Sequence, residues 1–169
     1  MDGSDGREDL VGERTEQRLN LLCSNSNAGF LWGLLRKIDL FGGTVTNKKI
    51  LIVEDEEDIL ELLFDVFDAL EDYRILCARD GEEALRIARV DNPDIILLDV
   101  QLPRLNGYEV CKFIKSDPAM SHAKVLMLSG MAQNSDWLKA QEAGADDYIT
   151  KPFISTALVE KVEELLGSN

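Results

Sequence analysis

The chain has 169 residues, 45% of them apolar and 30% charged, which is enough apolar material for one buried core and predicts one domain of ordinary size with some chain to spare. With 32 acidic against 18 basic residues the formal net charge is −14. Such a surface repels polyanions, so direct readers of nucleic acid and proteins that bind anionic lipid are function classes it argues against.

Residues 1–47 read differently from the rest. The first twenty are rich in charge and glycine, a composition that cannot bury enough surface to order itself, and they carry no secretory signal pattern. SNSNAG reads as a loop, and a short apolar helix is expected around 29–41, with GGTVTN as a linker after it. The apolar run AGFLWGLL is too short to span a bilayer. Phe30, Leu31, Trp32, Leu34, Leu35, Ile38 and Leu40, beside Arg36 and Lys37, fit either a weakly packed or disordered tail or a helix that docks on a partner or membrane. The expected division is therefore a largely flexible N-terminal extension over 1–47 and a folded domain over 48–169. Cys23, Cys77 and Cys111 are odd in number and form no C-x-x-C pair. Cys77 and Cys111 sit among apolar residues and read as buried reduced thiols, which points to a reducing, cytoplasmic compartment.

From Lys48 the pattern alternates. KILIV (49–53) is a continuous apolar run, as for a strand buried on both faces. EEDILELLFDVFDAL (56–70) carries a helical stripe of Ile59, Leu60, Leu62, Leu63, Val66, Phe67 and Leu70. YRILCA (73–78) reads as a strand and GEEALRIARV (81–90) as a helix, after which Asn92-Pro93 breaks the chain. DIILL (94–98) is the third strand, NGYEVCKFIKS (106–116) a helix and KVLMLS (124–129) a strand. NSDWLKAQEA (134–143) is a helix ended by Gly144, DYIT (147–150) a short fifth strand and ISTALVEKVEELL (154–166) a last helix. Five strands alternating with five helices predict a doubly wound α/β domain with a parallel sheet and helices on both faces. The sequence ends three residues beyond that helix, so no output domain is expected after it.

In an open parallel sheet, ligands sit beyond the carboxyl ends of the strands, so the residues that follow each strand are the candidates. Glu54 and Asp55 follow the first, Asp99 the third, Ser129 closes the fourth, and Thr150, Lys151 and Pro152 come at the end of the fifth. Each has an ordinary explanation: acids at a helix N-terminus, a turn aspartate, a capping serine, a surface lysine. Their convergence at four strand ends is far less easily dismissed.

LIVEDE, IILLD, MLSG and YITKPF together make the chain resemble the receiver domains of two-component response regulators over about residues 48–167, as a stand-alone, chemotaxis-regulator-like member. The resemblance implies a flavodoxin-like five-stranded parallel sheet in the order 2-1-3-4-5 flanked by five helices. It implies that Asp99 accepts a phosphoryl group from a phosphohistidine. Asp55, Asp99 and the backbone carbonyl of Gln101 would bind Mg2+ directly, and Glu54 would do so through water. Lys151, joined to Pro152 by a cis bond, would pair with the phosphoryl group. Ser129 and Tyr148 would act as the switch, and Gln101 and Met131 would tune phosphate lifetime. The implied partners are a histidine kinase or histidine phosphotransfer protein and a downstream effector, with a phosphorylation-dependent homodimer as a further expectation. A pseudo-receiver that works without phosphorylation is the alternative. A turnover phosphatase is disfavoured, because such enzymes carry a second acid two residues beyond the nucleophile, where Gln101 stands.

Overall fold

The computed structural model describes residues 48–70, 72–130 and 134–167; the readings made for residues 1–47, including the helix around 29–41, lie outside the described residues. The described elements are β1 (Lys48–Val53), α1 (Glu57–Asp68), β2 (Tyr73–Ala78), α2 (Gly81–Asp91), β3 (Ile95–Asp99), α3 (Gly107–Ser116), β4 (Lys124–Ser129), α4 (Asn134–Glu142), β5 (Asp147–Thr150) and α5 (Ser155–Gly167). They differ from the sequence reading by a residue or two at their ends.

All strand pairs are parallel, in the order β2-β1-β3-β4-β5. The apolar runs fall where that order requires them. Ile50–Val53 of β1 and Ile95–Leu98 of β3 are fully buried, as central strands covered by helices on both faces must be. β2 is an edge strand, as the order implied by the family resemblance requires. Alternation along each strand divides the core in two. Leu51, Val53, Ile96, Leu98, Val125 and Met127 pack with α2, α3 and α4 through residues such as Ile87, Val110, Ile114 and Ala140. The opposite face receives the apolar sides of α1, with Leu60, Leu63, Phe64 and Phe67 buried, and of α5, with Leu158 and Val162 buried.

Local chemistry sets the helix ends. The Asp80 side chain caps α2 by accepting from the Glu83 amide, and Asn92 ends that helix at φ 49°, a left-handed conformation asparagine tolerates. Asn106 opens α3 with a capping box: its side chain accepts from the Glu109 amide while Glu109 accepts from the Asn106 amide. Gly144, at φ +86°, supplies the turn between α4 and β5.

Cys111 is the buried reduced thiol expected; burial pushes it up to about 11, and its Sγ donates to the Ala143 carbonyl at 3.4 Å. Cys77 corrects the same expectation, because it is disulfide-bonded rather than a free thiol. An odd cysteine count without a recognisable spacing carries no pairing information, and apolar neighbours suit a bridged sulfur as well as a thiol. The cysteine argument for a reducing compartment therefore falls away. Among the described residues, no helix is long and apolar enough to cross a membrane.

Candidate functional site

Parallel strands bring their carboxyl ends to one edge, and the candidate residues gather there. Glu54 and Asp55 leave β1, Asp99 is the last residue of β3, Ser129 the last of β4, and Lys151 follows β5 directly. Main-chain bonds hold these ends in line. The Glu54 amide donates to the Ala78 carbonyl at 3.0 Å, Val100 to Leu128 at 3.0 Å, and Lys151 to Ser129 at 2.7 Å. Ser129 and Thr150 are register partners, and the Lys151-Pro152 bond is cis.

The side chains converge around one ammonium group. Lys151 Nζ lies 2.7 Å from Glu54 Oε2 and 3.1 Å from Asp99 Oδ1. Glu54 is 0% and Asp99 2% exposed, whereas Asp55 faces solvent. One carboxylate oxygen each from Glu54, Asp55 and Asp99 lies within 4.8 Å of the other two. Gln101 stands two residues beyond Asp99 with its side chain exposed, and Met131 lies outside the described residues. Ser129 is buried at the end of β4, and Tyr148 is half-buried on β5 against the α2–α3–α4 side of the core.

Burial decides the electrostatics of Glu54. It penalises the charged form and raises the carboxyl from 4.5 to about 7, with Asp99 pushing the same way; the Lys151 hydrogen bond and charge oppose this and lose. For Lys151 the balance is reversed. Burial disfavours its charge, but the hydrogen bonds and attraction of Glu54 and Asp99 together outweigh that, so its pKa lies above the ordinary lysine value.

Three clustered carboxyl groups, with one ammonium against Glu54 and Asp99, leave an excess of negative charge, and every carboxylate ligand atom in the cluster is oxygen. That donor set fits a hard divalent cation such as Mg2+, which prefers oxygen ligands and keeps several waters. Glu54, Asp55 and Asp99 are the side chains that would hold it.

Sequence reading found the acids and the lysine but not what holds Asp99 from behind. A Cβ on Gly107 would stand 2.2 Å from the Asp99 carbonyl oxygen and 2.9 Å from Val100 Cα, and the Gly107 amide donates to the Val100 carbonyl at 3.0 Å. The first residue of α3 thus presses bare backbone against the backbone of Asp99. The Asn-Gly pair and the Glu109 that completes the capping box are visible signals of a helix start, but this close approach is not. Arg104 was also missed. At φ +68° in the β3–α3 connection, it reaches Asp80 and Glu82 of the α2 N-terminus, each at 3.2 Å.

Comparison with known proteins agrees with this geometry. A family model described as the response regulator receiver domain matches residues 50–163. The alkaline phosphatase synthesis transcriptional regulatory protein PhoP of Bacillus subtilis is 43% identical over 120 residues, 71% of this chain and 49% of that protein. The chain therefore spans about half the length of that relative. The polar-differentiation response regulator DivK of Brucella ovis is 36% identical over 120 residues, 71% of this chain and 97% of DivK. Among solved structures, the receiver domain of a sensor histidine kinase from Pseudomonas aeruginosa superposes with a TM-score of 0.67 at 29% identity, covering 72% of this chain and 98% of that one. That structure has a magnesium ion coordinated in its active-site cleft.

Proposed function

The chain belongs to the response regulator receiver family, and from that premise we propose that it is a phosphorylation switch whose acceptor is Asp99. The observation that carries this reading is the Lys151 ammonium held between Glu54 at 2.7 Å and Asp99 at 3.1 Å at the carboxyl edge of the sheet. An aspartate carboxylate is a competent nucleophile towards phosphorus, and phosphoryl transfer depends mainly on alignment and charge stabilisation. Asp99 forms a P–O bond as the P–N bond of a partner's phosphohistidine breaks. Lys151, which already faces the Asp99 carboxylate, meets the charge arriving on the phosphoryl oxygens as a fixed cation. Asp55, Asp99 and the Gln101 carbonyl would hold Mg2+ directly and Glu54 would hold it through water, and the ion would supply charge neutralisation for the clustered carboxylates and the phosphoryl oxygens.

Ser129 and Tyr148 carry the change outward. The Ser129 hydroxyl turns towards the new phosphoryl group, and Tyr148 changes rotamer with it, so a local charge event biases two arrangements of the α4, β5 and α5 surface. Trp137, Leu138 and Ile154 are exposed on or beside those elements, where an effector or a second phosphorylated copy would dock. The partners in this reading are a histidine kinase or histidine phosphotransfer protein and an effector, in the cytoplasm. The chain catalyses its own phosphorylation and slow self-dephosphorylation rather than turning over a free substrate.

The test is the intact mass after treatment with acetyl phosphate and magnesium. A gain of about 80 Da, lost in Asp99→Ala or without magnesium, supports the reading. No gain, together with no beryllofluoride binding, refutes it and favours a phosphorylation-independent module.

A further inference from the structure

One buried polar atom near the switch has no use in the scheme above. Asp136, in the first turn of α4, is 4% exposed, and its Oδ2 has no hydrogen-bond partner among the described residues. The other carboxylate oxygen, Oδ1, faces Lys139 at 3.4 Å, a distant pair with an exposed lysine. Buried acceptors are almost always satisfied, so an orphan of this kind calls for a partner that arrives in another state.

A donor stands beside it. Tyr108, the second residue of α3, reaches over from the neighbouring helix, and its hydroxyl lies 3.5 Å from the Asp136 main-chain carbonyl, the outer limit of a hydrogen bond. The ring packs on the core cluster that also receives Tyr148, Ala140 of α4 and Ala143 just beyond that helix. Burial raises the Tyr108 phenol above its ordinary value, and the Asp136 and Tyr148 groups add to that, which is consistent with the three groups lying close together. The donor comes from the helix whose first residue abuts Asp99. The acceptor sits on the helix that follows the Ser129 strand.

We propose that Tyr108 and Asp136 form a latch between α3 and α4: in the phosphorylated state α4 shifts so that the Tyr108 hydroxyl leaves the long contact with the Asp136 carbonyl and donates to the unpaired carboxylate oxygen. The inference rests on the switch reading of Asp99, Ser129 and Tyr148. It adds a second connection, through α3, between the phosphoacceptor and the α4 surface. Satisfying a buried acceptor in one state alone favours that state by about tenfold. The latch acts as a positioning device and touches no reacting atom.

The experiment is beryllofluoride binding in magnesium to the full chain, to Tyr108→Phe, to Asp136→Ala and to the double variant, with magnesium affinity and melting temperature measured beside it. Each single variant is expected to bind beryllofluoride about tenfold more weakly, and the double variant no more weakly than either single one, because both remove the same bond. Magnesium affinity stays unchanged. The Asp136→Ala protein without beryllofluoride keeps its melting temperature to within about a degree, since Oδ2 had no partner and Oδ1 has only a distant pair with an exposed lysine, which contributes little. Packing residues without a latch would instead give additive losses and lower melting temperatures with and without beryllofluoride, and that result overturns the proposal. So does unchanged beryllofluoride affinity in both single variants. Failure of the unsubstituted chain to bind beryllofluoride overturns the underlying reading, and the latch with it.

Discussion

Glu54 offers the sharpest test of how this pocket is balanced, because two large influences oppose each other there and burial wins. In the folded, magnesium-free protein its carboxyl titrates at about 7 rather than 4.5. The folded state therefore holds a proton that the unfolded chain has already released at intermediate pH. The stability linked to this group is fully present below pH 4.5 and is lost as pH rises through about 7. Across that window the loss amounts to about 3 kcal/mol, a large share of the stability of a domain this size. Glu54→Gln removes the titration and keeps the shape. The measurement is urea denaturation in EDTA from about pH 5 to about pH 8 for both proteins, taking the difference of the two stability curves so that other groups cancel. The natural protein should fall relative to the glutamine variant by about 3 kcal/mol as pH rises. Magnesium should flatten the difference, because a cation favours the charged carboxylate. A difference that is flat, or that rises with pH, in EDTA would show that the Lys151 pair at 2.7 Å outweighs burial and that the argument is wrong. Lys151→Met removes the chief opposing influence and should carry the fall to still higher pH.

Four other outcomes follow from the same geometry. Gly107→Ala forces a Cβ against the Asp99 carbonyl oxygen at 2.2 Å; it should cost about 3 kcal/mol or more and weaken magnesium binding, seen by denaturation and calorimetry. Asn106→Ala loses only the α3 cap and should cost about 1 kcal/mol, leaving magnesium affinity near that of the natural protein. Gly144→Ala places a side chain at φ +86° and should cost about 1–2 kcal/mol with no effect on phosphoryl labelling. Gln101→Ala should keep magnesium-dependent labelling while altering the decay of the label, since its side chain is exposed beside Asp99 and only its backbone carbonyl is assigned to the cation.

Periodicity made the alternating strands and helices legible, because buried parallel strands read as unbroken apolar runs and their covering helices as stripes. The rule that ligands gather at the carboxyl ends of such strands singled out Glu54, Asp55, Asp99, Ser129 and Lys151 from many other acids, hydroxyls and lysines. Strand order came from family resemblance, since hydrophobic pattern is blind to which strands are neighbours. Which acid is sealed from water was also illegible: adjacent in sequence, Glu54 is buried and Asp55 exposed, because successive residues leaving a strand point to opposite sides. The Lys151 bridge, the Gly107 contact with Asp99 and the orphaned oxygen of Asp136 depend on side chains and backbone from distant segments meeting within a few ångströms. Sequence by itself determined the elements and the chemical groups at their ends. Only the folded chain decided the distances and burial that set Glu54 to about 7, because desolvation and pairing depend on what surrounds a group in space rather than on its neighbours along the chain.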